Sequence, residues 1–248
     1  MAFLEDRTGP LNLAHRGASA VAPQNTLAAF EQAGDMGADG VELDVHLSAD
    51  GVPVVIHDAT VDRTTDGHGR VGALSLEELK SLDAGRWFDP TFAGEQIPTL
   101  EEVADALGQR LLVNVELKSI SLRENGLERA VIDVIERSAL TERVLISSFN
   151  PLSLRRVRRL APHLPLGLLT LPRMPRPLSP LWRALVRVEA HHPHHTQIDR
   201  QFVAQARRWG YRIFAWVVDE PAEIRRLADL GVDGIITNVP DRMNETLA

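Results

Sequence analysis

The chain has 248 residues, 44% of them hydrophobic, which bounds it to one large domain or two small ones with a sizeable core. Its 27 basic residues against 34 acidic ones leave a net charge of −7, which excludes a globally basic surface for nucleic acid. It contains no cysteine, so disulfides, thiolate nucleophiles and cysteine-ligated zinc are excluded, and the composition is compatible with a cytoplasmic location.

Short β-branched, apolar runs alternate with helical patterns along most of the chain. Leu11–Ala14 reads as a strand and Thr26–Met36 as a helix, with Asn25 as N-cap and Gly37 near its end. Gly40–His46 is a strand, and Val52–Ile56 folds back on it through a turn at Asp50-Gly51. The stretch from about Asp58 to Pro98, rich in Gly, Asp and Thr, interrupts the rhythm and offers one short helix, Ser75–Leu82. It reads as an insertion over one end of the fold. Thr99 then caps a helix through Leu107. Strands follow at Arg110–Leu117, Val144–Ser148, Leu166–Leu169, near Glu189–His192, at Tyr211–Val218 and at Gly234–Ile236. Helices between them span Asn125–Ser138, Pro151–Leu160, Ser179–Val188, Asp199–Trp209 and Ala222–Leu230. The four arginines 155, 156, 158 and 159 fall on one of these helices and read as a solvated face.

Eight strand candidates in β-then-α order, setting aside the Val52–Ile56 arm, demand a mostly parallel sheet with helices outside. At this length the pattern predicts a closed (β/α)₈ barrel. It is one domain over residues 1–248, carrying a subdomain at about 58–98 after the second strand. His15-Arg16-Gly17 does not match the GxGxxG fingerprint of a dinucleotide fold. No segment approaches the roughly 18 uninterrupted apolar residues of a membrane span, so stable membrane insertion is not expected. Met1–Leu13 has Glu5, Asp6 and Arg7 and no apolar run, and does not read as a signal peptide.

Barrel enzymes carry their chemistry at the C-terminal ends of the strands. Here those ends are polar: His15 and Arg16, Glu42 and Asp44, Glu116 and Lys118, Ser147 and Ser148, His192 and His194, Trp216, Thr237 and Asn238. In Val41-Glu42-Leu43-Asp44-Val45 the two carboxylates share one face of the strand and the aliphatic residues the other. Neighbouring carboxylates raise one another's pKa unless a counter-charge is present. Two arrangements supply one: a hard divalent cation, Mg²⁺ or Ca²⁺, on the oxygens of Glu42, Asp44 and Glu116, or a salt-bridge network with Lys118 and Arg16. His15 and His57 end runs beside this cluster. The group His191, His192, His194 and His195 suggests a transition-metal site but lacks the usual ligand spacing.

Taken in order, several motifs resemble the glycerophosphodiester phosphodiesterase signature. They are His15-Arg16-Gly17, Pro23-Gln24-Asn25-Thr26, Glu42-Leu43-Asp44, His57-Asp58 and Asp62-Arg63-Thr64-Thr65. Val115-Glu116-Leu117-Lys118, Ser147-Ser148-Phe149, Trp216 and Thr237-Asn238-Val239-Pro240-Asp241 continue the resemblance over nearly the whole chain. The resemblance implies a (β/α)₈ barrel with an insertion after its second strand. It implies Glu42, Asp44 and Glu116 as ligands of one divalent cation, and His15 and His57 as an acid–base pair. Arg16 and Lys118 would bind phosphate, with Asn25 and Trp216 also among the substrate-binding residues. The implied reaction is hydrolysis of glycerophosphodiesters to glycerol 3-phosphate and an alcohol. One departure stands out: Gln24 occupies the place of the family's usual Glu, which predicts a tuned rather than a dead site. Two rivals remain. One is a lysophospholipase D-like enzyme with an apolar mouth built from Trp87, Phe88, Phe92 and the Pro-rich Leu171–Leu181 segment. The other is a barrel that binds phosphodiesters without turnover. Oligomeric state is not legible.

Overall fold

The computed structural model describes residues 2–107, 110–119, 124–172 and 186–248. Nine strands form one sheet: β1 (Leu11–His15), β2 (Gly40–Leu47), β3 (Pro53–Val55), β4 (Leu112–Leu117), β5 (Val144–Ser148), β6 (Leu166–Thr170), β7 (Ala190–Pro193), β8 (Arg212–Ala215) and β9 (Gly234–Thr237). Their order is β1-β9-β8-β7-β6-β5-β4-β2-β3, and β1 also pairs with β2. Eight parallel strands therefore close on themselves, while β3 lies antiparallel on β2 as a hairpin arm. This is the barrel that the alternation predicts.

The helices of the barrel are α1 (Leu27–Asp35), α3 (Leu100–Leu107), α4 (Leu127–Arg137), α5 (Pro151–Leu160), α6 (Arg200–Arg208), α7 (Pro221–Leu230) and α8 (Pro240–Leu247), with a short α2 (Leu76–Lys80) between β3 and α3. Their starts are chemically marked. Proline opens α5, α7 and α8, where its missing N–H costs nothing. Thr99 and Glu102 cap α3 reciprocally, with backbone-to-side-chain bonds of 3.0 and 2.8 Å. Ser75 and Glu78 do the same for α2. The N-cap of α1 is Thr26 rather than Asn25, because Asn25 takes a left-handed backbone (φ 60°) and turns its side chain inward.

Alternation along the strands separates two interiors. Val41, Leu43, Val45, Val113, Val115 and Ile146 face the helices within the main core. Inside the barrel, Phe3, Leu11, Leu13, Leu112, Leu145, Ala190, Phe214 and Ile236 pack into an apolar plug, with Phe3 edge-on to Phe214 at 6.0 Å. Leu11, Leu112, Leu145 and Ala190 are the first or second residues of their strands, and Phe3 precedes β1. His15, Glu42, Asp44 and Glu116 lie farther along β1, β2 and β4, toward the C-terminal end at which barrels carry chemistry.

Between β3 and α3, Val54, Ile56, Val61, Val71, Leu79, Ala84 and Ile97 form a separate small core. Lys80 ties this region to α3 through Glu102 at 2.7 Å. Three sequence expectations need correction or completion. Arg156 and Arg158 are not a solvated face: Arg156 packs against buried Glu128 at 3.1 Å, and Arg158 clamps Glu189 at 2.6 Å and donates to neighbouring carbonyls. Helix α8 was not expected. The helix expected over Ser179–Val188 lies outside the described residues through 185, and 186–188 carry no regular structure. Among the described residues no helix is long and apolar enough to cross a membrane.

Candidate active site

Charged residues inside a parallel strand must be compensated. Glu42, Asp44 and Glu116 all point into the C-terminal mouth of the barrel, and their oxygens lie within 4.8 Å of one another. Asp44 is the most fully compensated. Lys118 Nζ lies 3.1 Å from one oxygen, Arg16 Nε lies 3.1 Å from the other, and Asn25 Nδ2 donates to it at 2.9 Å. Burial opposes its ionisation, but Lys118 and Arg16 prevail and hold its carboxyl well below the usual range. Among the described residues Glu116 receives only Lys118, at 2.8 Å, and burial with the nearby Asp44 charge pushes it up to about 7. Glu42 is pushed well above its ordinary value by burial, Asp44 and Glu116, and its Oε2 has no hydrogen-bond partner among the described residues.

Three carboxylates thus share two cations. The salt-bridge network anticipated as an alternative to metal exists, but it satisfies Asp44 and leaves Glu42 orphaned. A buried, unpartnered carboxylate oxygen beside a second carboxylate of raised pKa is the donor set of a hard divalent ion. The residues fit such an ion.

The loop after β1 owes its shape to two left-handed residues, Arg16 (φ 58°) and Asn25 (φ 60°), joined by the Asn25 N–H to Arg16 carbonyl bond at 2.9 Å. Non-glycine residues rarely adopt this conformation, and it is held where side chains must be aimed. The Arg16 N–H donates to the Glu42 carbonyl at 2.8 Å, and its guanidinium donates to Gln24 Oε1 at 2.8 Å. Gln24 therefore acts on Arg16 and makes no contact with the carboxylate cluster.

His15 ends β1 with Nδ1 2.7 Å from Asn238 Oδ1. Burial first, then the Arg16 charge, lowers its pKa to about 4, so the ring is neutral at pH 7. His57 follows β3, with Nδ1 2.6 Å from Asp58, which in turn meets Arg63 Nε at 2.6 Å. Burial lowers the His57 pKa, partly opposed by Asp44. Each histidine has Nδ1 engaged by a residue that is not in the carboxylate cluster. His57, Lys118, Glu116, His46, Ser148 and Phe149 line a cleft of about 310 Å³ at this end. Trp216 follows β8, spends its indole N–H on the His192 carbonyl at 2.7 Å, and stands edge-on to Phe149 at 5.6 Å. Its ring alone is available to a ligand.

His15, Arg16, Asn25, Glu42, Asp44, His57, Glu116 and Lys118 lie around one cluster, and Trp216 borders the adjoining cleft through Phe149. The structure does not assemble the histidine run. His191 packs on Tyr211 outside the barrel, His192 on Phe214 inside it, His194 bonds Thr196, and His195 bonds Glu223 at 2.7 Å. Trp87, Phe88 and Phe92 stack edge-on upon one another at 5.7 and 5.8 Å within the insertion. Of Leu171–Leu181, all but Leu171 and Pro172 lie outside the described residues. A larger cavity, about 580 Å³, opens at the opposite end beside Phe3, Leu11 and Arg212, but there Arg212 already pairs with Asp6 and Asp233. Sequence reasoning missed Asp58 as the partner of His57, and it missed Ser19 and Asp219, which support Asn238. Asp58 stood in the His57-Asp58 motif without an assigned role, and Ser19 and Asp219 are loop polars with no pattern of their own.

A model of the glycerophosphoryl diester phosphodiesterase family matches residues 15–242, a span that includes every one of these side chains. The chain belongs to this family. A glycerophosphodiester phosphodiesterase of Caldanaerobacter subterraneus subsp. tengcongensis is 47% identical over 236 residues, covering 94% of this chain and 96% of that one. A phosphodiesterase from Oleispira antarctica, solved in complex with the product sn-glycerol-3-phosphate, superposes with a TM-score of 0.86 at 32% identity and covers 96% and 97% of the two chains. A glycerophosphodiester phosphodiesterase from Agrobacterium tumefaciens gives 0.84 at 32%, covering 95% and 99%. The family's barrel is thus matched along its whole length.

Proposed function

We propose that this protein is a glycerophosphodiester phosphodiesterase that releases glycerol 3-phosphate and an alcohol from small glycerophosphodiesters. The observation that carries this reading is the convergence of two Nδ1-anchored histidines, two phosphate-competent cations and a carboxylate cluster with surplus negative charge at one barrel mouth. The product complex of the Oleispira antarctica relative supports the substrate class.

Glu42, Asp44 and Glu116 would hold one Mg²⁺ or Ca²⁺. When bound, such an ion supplies Lewis-acid polarisation of the phosphoryl group. Arg16 and Lys118 bind the phosphate oxygens and offset charge that grows in the transition state. One of His15 and His57 takes a proton from the nucleophile and the other gives one to the leaving alkoxide. Asn25 holds Asp44 in place, and the Trp216 ring with Phe149 bounds the organic part of the substrate. Residues 58–98 are read as a subdomain inserted in a single barrel domain, whose Asp58 and Arg63 support His57 at the cleft.

The test is release of glycerol 3-phosphate from glycerophosphocholine after EDTA treatment and again after Mg²⁺ or Ca²⁺ is restored. Metal-restored turnover, faster than on lysophosphatidylcholine, is the expected result. Binding without turnover under either ion, or a preference for the lysolipid, overturns the reading. A transient cyclic phosphate in the time course identifies the substrate's glycerol 2-hydroxyl as nucleophile. Solvent ¹⁸O incorporation without it identifies water.

A further inference from the structure

We propose that Asp219 and Asn238 are positioning residues that fix the tautomer of His15, keeping its proton on Nδ1 and Nε2 as the acceptor. The inference rests on the reading of His15 as a proton-transfer residue, and it adds how the chain sets which nitrogen does the work.

Asp219 lies in the loop after β8. That loop is docked on β9 by the Val218 N–H to Ile236 carbonyl bond at 3.0 Å. One oxygen of Asp219 accepts from the Asn238 backbone N–H at 2.8 Å and from Thr237 Oγ1 at 3.0 Å. The other accepts from Asn238 Nδ2 at 2.7 Å. A carboxylate only accepts, so the amino half of the Asn238 amide must face Asp219. The carbonyl half is thereby turned toward β1. There Asn238 Oδ1 lies 2.7 Å from His15 Nδ1 and accepts from Ser19 Oγ at 2.8 Å. An amide oxygen cannot donate, so His15 Nδ1 must carry the hydrogen. In the neutral ring Nε2 is then the free acceptor, the state a general base requires. The chain of contacts runs from the loop after β8, through the end of β9, to the end of β1.

The direction of each bond makes the proposal testable by reversal. In Asp219→Asn, one carbonyl oxygen cannot satisfy three donors. Relief comes when the Asn238 amide flips, accepts from the new amino group and presents Nδ2 to His15. That forces the proton onto Nε2. In the double variant Asp219→Asn/Asn238→Asp, the new carboxylate accepts from the residue-219 amide on one side and from His15 and Ser19 on the other, restoring the original polarity.

The experiment is ¹⁵N spectroscopy of histidine-labelled full-length protein, with the His15 signals assigned by their loss in His15→Gln, alongside steady-state kinetics. The wild type is expected to show Nδ1–H. Asp219→Asn is expected to show Nε2–H, with kcat lower by about 10²-fold or more and KM little changed. The double variant is expected to return both tautomer and kcat. A wild-type ring protonated on Nε2 overturns the proposal without any variant having to fold. So does an Asp219→Asn protein whose kcat falls while His15 keeps Nδ1–H. Undiminished activity in His15→Ala sinks the proton-transfer reading instead and leaves the tautomer result standing, so the two failures are distinct.

Discussion

The two histidines are anchored by different chemistry. His57 leans on a carboxylate that is itself held by Arg63, and the Arg63 hydrogen bond first, with help from His57, brings the Asp58 pKa down to about 2. His15 leans on a neutral amide. His57→Ala should lower kcat by roughly 10²–10⁴-fold, as loss of a general acid or base does, and steady-state kinetics would check it. Wild-type turnover would remove His57 from the mechanism. Gln24→Glu is expected to have a mild effect, since it replaces a neutral acceptor on Arg16 with a charged one 2.8 Å away and touches no carboxylate of the cluster. Measured metal affinity should stay within about threefold, well short of the 10–100-fold that losing a partner of a metal ligand costs. The residues legible in the sequence were those whose placement is costly: Glu42, Asp44 and Glu116 stand out because charge inside an aliphatic strand needs a reason. Asp219 and Asp58 carry no such signal. An aspartate in a loop is ordinary until the fold shows what it faces.

At the scale of elements, the join between β1 and α1 is the most constrained. Gly17 has φ +83°, and a Cβ there would sit 2.6 Å from the backbone of Ala29 in α1. Gly17→Ala should destabilise the fold by about 1–3 kcal/mol and displace Arg16, seen as a lower midpoint in urea and a raised KM. The element pattern was legible because periodicity and caps agree, as in Pro151–Leu160, which the sequence predicts to the residue. The Asn25 cap misled because Asn suits both an N-cap and a left-handed turn, and only the presence of Asp44 decides between them. The arginines of α5 misled because helical spacing does not say which neighbour waits opposite; Glu128 on α4 and Glu189 before β7 do. Glu223 on α7 binds Arg226 and then His195, which lower its pKa to about 2. Its folded pKa is depressed, so its contribution is present above the ordinary value of 4.5 and is lost as pH falls through about 2. Glu223→Gln should therefore lower Tm at neutral pH and flatten its fall below pH 4, by thermal melts across that range.

For the whole molecule, the barrel divides labour along its axis. The apolar plug at the N-terminal end supplies cohesion, while the mouth concentrates like charge at a cost to the fold. An ion bound there should relieve part of that cost. Saturating Mg²⁺ or Ca²⁺ at about 100 times its Kd should raise stability by about 2.7 kcal/mol over the EDTA-treated protein, read by denaturant titration. An unchanged midpoint would mean that Lys118 and Arg16 already balance the cluster unaided.

The closure of the barrel has a consequence in time as well as in space. Asn12 in β1 donates to the Pro240 carbonyl at 2.8 Å across 228 residues of chain, and β1 pairs directly with β9. At a synthesis rate of about 5–20 residues per second, the free flank of β1 therefore waits roughly 10–45 seconds for its partner to be made. Throughout that interval the growing protein carries an open strand edge, the feature most prone to pairing with a stranger. The vulnerable period of this molecule is its birth rather than its working life.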